Sequence, residues 1–111
     1  MFYNTPMRTL NTSVISDCVY RLARKAGTAL TPACQALLKD ARDAESGAAR
    51  FALDTLIENQ EIAAREMMPV CQDTGMAVVL LEIGQEVLLT GAPLSDAVND
   101  GVRRAYKDGY F

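Results

Sequence analysis

At 111 residues, half of them apolar and with a formal charge of −3, the chain has a globular balance that argues against disorder and against holding a polyanion by net charge. Nucleic acid is therefore not an expected partner, and the length allows one domain at most with a modest core. Histidine is absent, which excludes a histidine-based triad and a histidine-rich zinc site and leaves acid-base work to Asp, Glu, Lys, Tyr or Cys.

The longest apolar run, Met76 to Leu81, is far short of the roughly 20 residues that span a bilayer. No membrane segment is expected. The first residues, MFYNTPMRTLNTS, lack the apolar core of a signal peptide, so the expected compartment is cytoplasmic. Three cysteines, an odd number without an export signal, fit reduced thiols better than a disulfide framework.

In chain order, Ile15, Cys18, Val19, Leu22 and Ala26 recur at helical spacing and predict an amphipathic helix from about Thr12 to Lys25. Thr12 or Ser13 can cap it, and Gly27 ends it. Thr31-Pro32 reads as an N-cap and first helical position of a second helix, whose stripe is Cys34, Leu37, Leu38 and Ala41. Cys18 and Cys34 thus fall on apolar stripes and are expected to be core thiols.

Ser46-Gly47 marks the next boundary. From Phe51 to Glu66, Leu53, Leu56, Ile57, Ala63 and Ala64 oppose Asp54, Glu58, Glu61 and Arg65, predicting a third helix that Pro69 stops. Met76 to Ile83 is continuous rather than alternating and predicts a strand covered on both faces. Gly84-Gln85 can turn it into a second strand at Glu86 to Thr90, giving a β-hairpin. After Gly91-Ala92-Pro93, the positions Leu94, Ala97, Val98, Val102 and Ala105 predict a final helix.

The predicted fold class is therefore α+β and mainly helical: three N-terminal helices, a β-hairpin and a C-terminal helix. Its parts are a helical region 11–67, a loop 68–75, the hairpin 76–90 and the helix 94–108. A lone hairpin with a run as apolar as MAVVLL is poorly protected from water. Either the helices cover it alone or the chain is part of a larger protein whose remaining strands complete the sheet, and the two aromatics of the ending Tyr110-Phe111 hint at truncation.

Cys71 differs from the other two cysteines. It follows Pro69-Val70 in a loop, precedes Gln72-Asp73-Thr74, and lies close to Gly75, where backbone can approach a ligand. A packed thiol remains one reading. A nucleophile would normally rely on a histidine or a helix N-terminus, and neither is predicted here. A metal ligand is the better chemical reading, but one cysteine cannot hold zinc or an iron–sulfur cluster, so its co-ligands must lie elsewhere.

The run Pro69-Val70-Cys71-Gln72-Asp73-Thr74-Gly75, continuing into Met76-Ala77-Val78-Val79, closely resembles the signature of the iron–sulfur class I fumarate hydratase and L(+)-tartrate dehydratase α-subunit family. The likeness takes in Asn59-Gln60-Glu61-Ile62-Ala63 upstream. Downstream it takes in Glu82-Ile83-Gly84-Gln85, Thr90-Gly91 and Gly101-Val102-Arg103-Arg104-Ala105-Tyr106. It covers most of the chain from about Met7 onward.

The resemblance implies that the chain is an incomplete N-terminal fragment of a larger α/β lyase domain, part of a hydro-lyase acting on a C4 dicarboxylate: fumarate to malate, with tartrate dehydration next. It implies a [4Fe-4S] cluster held by three cysteines, with one iron open to substrate, and a place in the tricarboxylic acid cycle. Cys71 is then the metal ligand, Gln72 and Asp73 the substrate-binding residues, and Asp73 the catalytic one. The other ligands lie outside this chain, in the rest of the α-region. A β subunit or domain and an oligomer are further implied partners. Arg103 and Arg104 sit on the last helix as solvated side chains and stay outside the expected site. The competing reading is a non-catalytic helical interaction module with Cys71 as a structural or redox thiol.

Overall fold

Four helices form where the 3.6-residue period places them, whereas of the two strands the sequence signalled only the second forms, paired with a strand near the N-terminus that the sequence did not signal. The structure is a computed structural model and describes residues 7–71 and 75–111. In chain order the elements are β1 (Arg8–Asn11), α1 (Thr12–Thr28), α2 (Pro32–Ala44), α3 (Gly47–Glu66), β2 (Val87–Thr90) and α4 (Leu94–Gly109). The chain is mainly helical with one strand pair, an α+β arrangement. It divides into two compact units rather than one undivided core: Met1–Ala23 with Gly75–Asp108, and Arg24–Thr74 with Gly109–Phe111.

In the first unit, β1 pairs with β2 in parallel, Arg8 opposite Val87 through Asn11 opposite Thr90. The expected hairpin is therefore corrected. A turn does form after Ile83, with the Val87 N–H donating to the Gly84 carbonyl at 3.0 Å. The segment before it, Met76 to Ile83, is not a strand. It is also not covered: Met76 is 92% exposed and Leu80 91%. A strand exists only where a neighbour takes its backbone groups, and among the described residues the partner of β2 is β1.

The core of this unit lies between α1 and α4. Thr12, Ile15, Ser16 and Val19 are buried along α1, and Ala97, Gly101 and Ala105 along α4. The small residues let the backbones come close, since a β-carbon at Gly101 would lie 2.5 Å from the Ser16 carbonyl oxygen and 2.8 Å from the Val19 side chain. Two capping expectations change. Asn11 caps α1, its side-chain oxygen accepting from the Ser13 N–H at 2.9 Å, while the Thr12 hydroxyl donates to the Ala92 carbonyl at 2.8 Å. The helix then runs one residue past Gly27 to Thr28.

In the second unit, α2 and α3 pack against each other. Thr31 caps α2 as expected, accepting from the Cys34 N–H at 3.3 Å, with Pro32 in the first turn. Ser46 and Gly47 open α3. Its buried residues are Ile57, Gln60 and Ala63, so Gln60 takes a place expected for Leu56 or Ala64. None of α2 is buried.

Cys18 and Cys34 are both exposed, and the expectation of core thiols is corrected. Leu22 and Leu37, on the same stripes, are 61% and 68% exposed. Periodicity identifies which residues share a face, and burial requires a partner for that face. The covered face of α1 is the one carrying Thr12, Ser16 and Val19, where Gly101 of α4 approaches.

Candidate functional site

α3 ends because the chain reverses at Met67, which adopts the left-handed conformation with φ 56°. Its N–H turns back to the Ala63 carbonyl, and the Met68 N–H donates to the same oxygen at 3.0 Å. This closes the last turn in the manner of a C-terminal cap, two residues before the proline expected to stop the helix. Pro69 then carries the chain to Val70, whose two backbone groups are both taken. The Val70 N–H donates to the Gly27 carbonyl at 2.9 Å, and the Asn59 side-chain amide donates to the Val70 carbonyl at 2.9 Å.

Cys71 follows directly and is exposed. Gln72 and Asp73, the expected substrate-binding and catalytic residues, lie outside the described residues, as does Thr74. Gly75 belongs to the first unit. Its carbonyl accepts the Tyr106 hydroxyl proton of α4 at 2.9 Å.

Gly27 has a second task in the same unit. A β-carbon there would meet the Phe111 ring at 2.5 Å, and one at Gly109 would meet it at 2.7 Å. The left-handed Tyr110, φ 57°, directs Phe111 to this position, and the Arg24 guanidinium lies 5.9 Å from the ring centroid. The residue whose carbonyl holds Val70 thus has an aromatic ring on its other side.

The donor set limits what this chain can hold. Among the described residues no three His, Cys, Asp or Glu side chains group as a metal site. A cluster needs three or four protein ligands, so these residues do not hold one alone. Cys71 does fit a single-ligand contribution: its thiol is exposed and the backbone before it is held at both polar groups of Val70. Such a donor presents one sulfur to a centre whose other ligands come from elsewhere.

A polar network that the sequence did not reveal lies on the α1–α4 face. Asp100 accepts from the Ser16 hydroxyl at 2.8 Å and pairs with Arg103 and Arg104. Arg104 also reaches Asp17 at 2.7 Å and Ser16 at 2.9 Å. Its guanidinium lies 5.2 Å from the centroid of the Tyr20 ring.

Arg104 is therefore a paired helix-to-helix contact and not a solvated side chain. Arg103 is mostly exposed, as expected. The Ser16 hydrogen bond, followed by the two arginines, holds the Asp100 carboxyl below its usual range against the opposing effect of desolvation. The hydrogen bond to Asp17 leads in pushing the Arg104 value up. Only an i, i+4 spacing of Asp100 and Arg104 could have signalled the pair.

The family model of fumarate hydratase (fumerase) matches residues 16–111, reaching into both of the units above. The chain belongs to the fumarate hydratase family. Among curated relatives of this family, a Methanocaldococcus jannaschii protein that carries the name of an L(+)-tartrate dehydratase alpha subunit is 32% identical over 96 residues, 85% of this chain and 34% of its own length.

The anaerobic class I fumarate hydratase of Escherichia coli is 34% identical over 71 residues, 64% of this chain and 12% of its own length. Fumarate hydratase 2 of Leishmania major is 40% identical over 58 residues, 52% of this chain and 10% of its own. The chain thus spans about a third or less of the length of these relatives. No solved structure matches it at a significant level. No helix among the described residues is long and apolar enough to cross a membrane.

Proposed function

We propose that this chain is part of a hydro-lyase that reversibly adds water across the double bond of a C4 dicarboxylate, fumarate to malate first and tartrate dehydration second. The observation that carries the reading is an exposed Cys71 immediately after the doubly held Val70, in a stretch matched by the fumarate hydratase family. Support for a hydro-lyase also comes from the names of relatives in a methanogen and in E. coli.

In this reading Cys71 supplies one thiolate to a [4Fe-4S] cluster whose remaining ligands are outside these residues. When bound, the cluster supplies a Lewis-acidic iron that polarises the substrate's hydroxyl and carboxylate. Gln72 holds the dicarboxylate through its amide N–H groups, since a neutral donor can bind a carboxylate without a charge of its own. Asp73 moves the proton on the carbon beside the carboxylate, in a chain where no histidine can do so. The rest of the α-region, a β subunit or domain and an oligomeric state complete the catalyst. It works in the cytoplasm.

The test is anaerobic reconstitution of the full-length protein, with any partner subunit, using iron and sulfide. The expected result is cluster absorbance together with hydration of fumarate, and loss of both in Cys71→Ala. Comparing kcat/KM for fumarate and tartrate ranks the two substrates. Full activity in Cys71→Ala, or a wild-type protein that takes up no cluster, overturns the assignment.

A further inference from the structure

We propose that Asn59 is a positioning residue for the Cys71 thiolate, acting through the peptide that joins Val70 to Cys71; the role of Cys71 as a ligand rests on the reading above. A peptide unit is planar, so the carbonyl oxygen of one residue and the N–H of the next turn together. Fixing the Val70 carbonyl therefore fixes the plane from which the Cys71 α-carbon departs. Asn59 does this with a side-chain N–H at 2.9 Å. Gly27 fixes the plane on the other side of Val70 by accepting its N–H at 2.9 Å.

With both planes held, the direction of the Cys71 sulfur depends on the dihedrals of Cys71 itself rather than on the swing of the whole loop. Asn59 suits this task by position. It lies within α3, and the reversal at Met67 returns the chain to it, so that residue 70 meets a side chain 11 positions earlier. Asparagine is a weaker helix former than alanine because its amide competes for backbone groups. In a helix interior that amide is spent here on the loop. The Phe111 ring against Gly27 backs the other support.

A metal ligand's direction matters because supporting hydrogen bonds tune how firmly it binds. Loss of such partners lowers metal affinity by about 10- to 100-fold. Asn59→Asp keeps the shape but removes the donor, and Asn59→Ala removes the side chain. Glu58→Ala, at an exposed neighbour on α3, is the control.

The experiment uses the full-length protein with any partner subunit and has three readouts: hydrogen exchange of residues 68–71 without cluster, the rate of Cys71 alkylation in the same state, and iron retention against a chelator after reconstitution. Both Asn59 variants are expected to exchange about three- to tenfold faster, as for one lost hydrogen bond. They should alter the alkylation rate and lose iron about tenfold faster or more, with helix melting and Glu58→Ala unchanged.

Unchanged iron retention in both variants overturns the proposal, whether or not exchange quickens, since a merely structural contact would move exchange alone. If the wild-type protein takes up no iron, the hydro-lyase reading fails separately. In that case altered alkylation in both Asn59 variants still supports the orientation of Cys71, and unaltered alkylation overturns it.

Discussion

The Tyr106 hydroxyl donates to the Gly75 carbonyl at 2.9 Å, so a side chain of α4 holds the residue that follows Gln72-Asp73-Thr74. Tyr106→Phe keeps the ring and deletes this one donor. One hydrogen bond of this kind contributes about 1 kcal/mol. The expected outcome is a stability loss of that size in denaturant unfolding, with faster amide exchange at residues 75–77. On the hydro-lyase reading proposed above, kcat should fall while the fold, read by circular dichroism, is retained.

Gly101 pits helix propensity against packing. Alanine in a helix interior is favoured over glycine by about 1 kcal/mol. Here its β-carbon would meet the Ser16 carbonyl oxygen at 2.5 Å, a backbone atom that cannot rotate away. Overpacking of this type costs about 1–3 kcal/mol, and a larger side chain costs more. Gly101→Ala is therefore expected to be destabilising on balance, and Gly101→Val more so, as read from the midpoint of urea unfolding. A stabilised Gly101→Ala would mean that α1 and α4 approach less closely than described.

The pH dependence follows from Asp100. Its carboxyl is held below the usual value, first by the Ser16 hydrogen bond and then by Arg104 and Arg103. A depressed folded value stabilises the fold above the unfolded carboxylate value of about 4, and that contribution is lost as pH falls through the folded value. Melting temperature should therefore decline on acidification below about pH 4, and Asp100→Asn should remove part of that decline. Added salt should weaken the effect, because the ion pairs are solvent-accessible. An acid limb identical in wild type and Asp100→Asn would refute the assignment.

Met67 adopts a left-handed conformation that costs a non-glycine residue about 1–2 kcal/mol. Its side chain is half exposed, so little packing is lost on its removal. Met67→Gly is expected to stabilise the end of α3 by up to about 1 kcal/mol, seen as a higher unfolding midpoint. Met67→Ala, which keeps the unfavourable conformation, should show no such gain.

Exposed Cys18 and Cys34 should react readily with a maleimide in the folded protein. The variants Cys18→Ser and Cys34→Ser should change stability by less than about 0.5 kcal/mol, the usual range for surface positions. Slow labelling of both, with cooperative release on unfolding, would restore the buried assignment.

These cysteines mark where sequence reading stopped: it placed them on the right helices but assigned them to a buried face, and both are exposed. The four helices were legible because periodicity and end signals are local: Thr31-Pro32 opens α2 and Ser46-Gly47 opens α3 as read. The covered face was not legible, because it depends on what packs there. Gly101, unremarkable in a helical pattern, selects the Ser16–Val19 side of α1 through close approach.

β1 was missed because Arg8–Asn11 is four residues long with one half-buried apolar side chain, Leu10, too little for a strand pattern. The segment 76–83 was overread because composition signals strand preference, whereas pairing needs a neighbour. At the candidate site, Cys71 was legible as part of a contiguous motif. Its supports were not, since a contact from Asn59 to the backbone of residue 70 leaves no spacing rule in the chain.

The unpaired run Met76-Ala77-Val78-Val79-Leu80-Leu81-Glu82-Ile83 carries one charge and no proline, and its large apolar side chains are exposed. Left bare, such a run is a template for self-association through edge pairing. A cover for the run, where one exists, has to arrive before a second copy does. Production of these residues without that cover should yield aggregates in proportion to concentration, and a lysine at Leu80, whose side chain is 91% exposed, should act as a gatekeeper that keeps them dispersed.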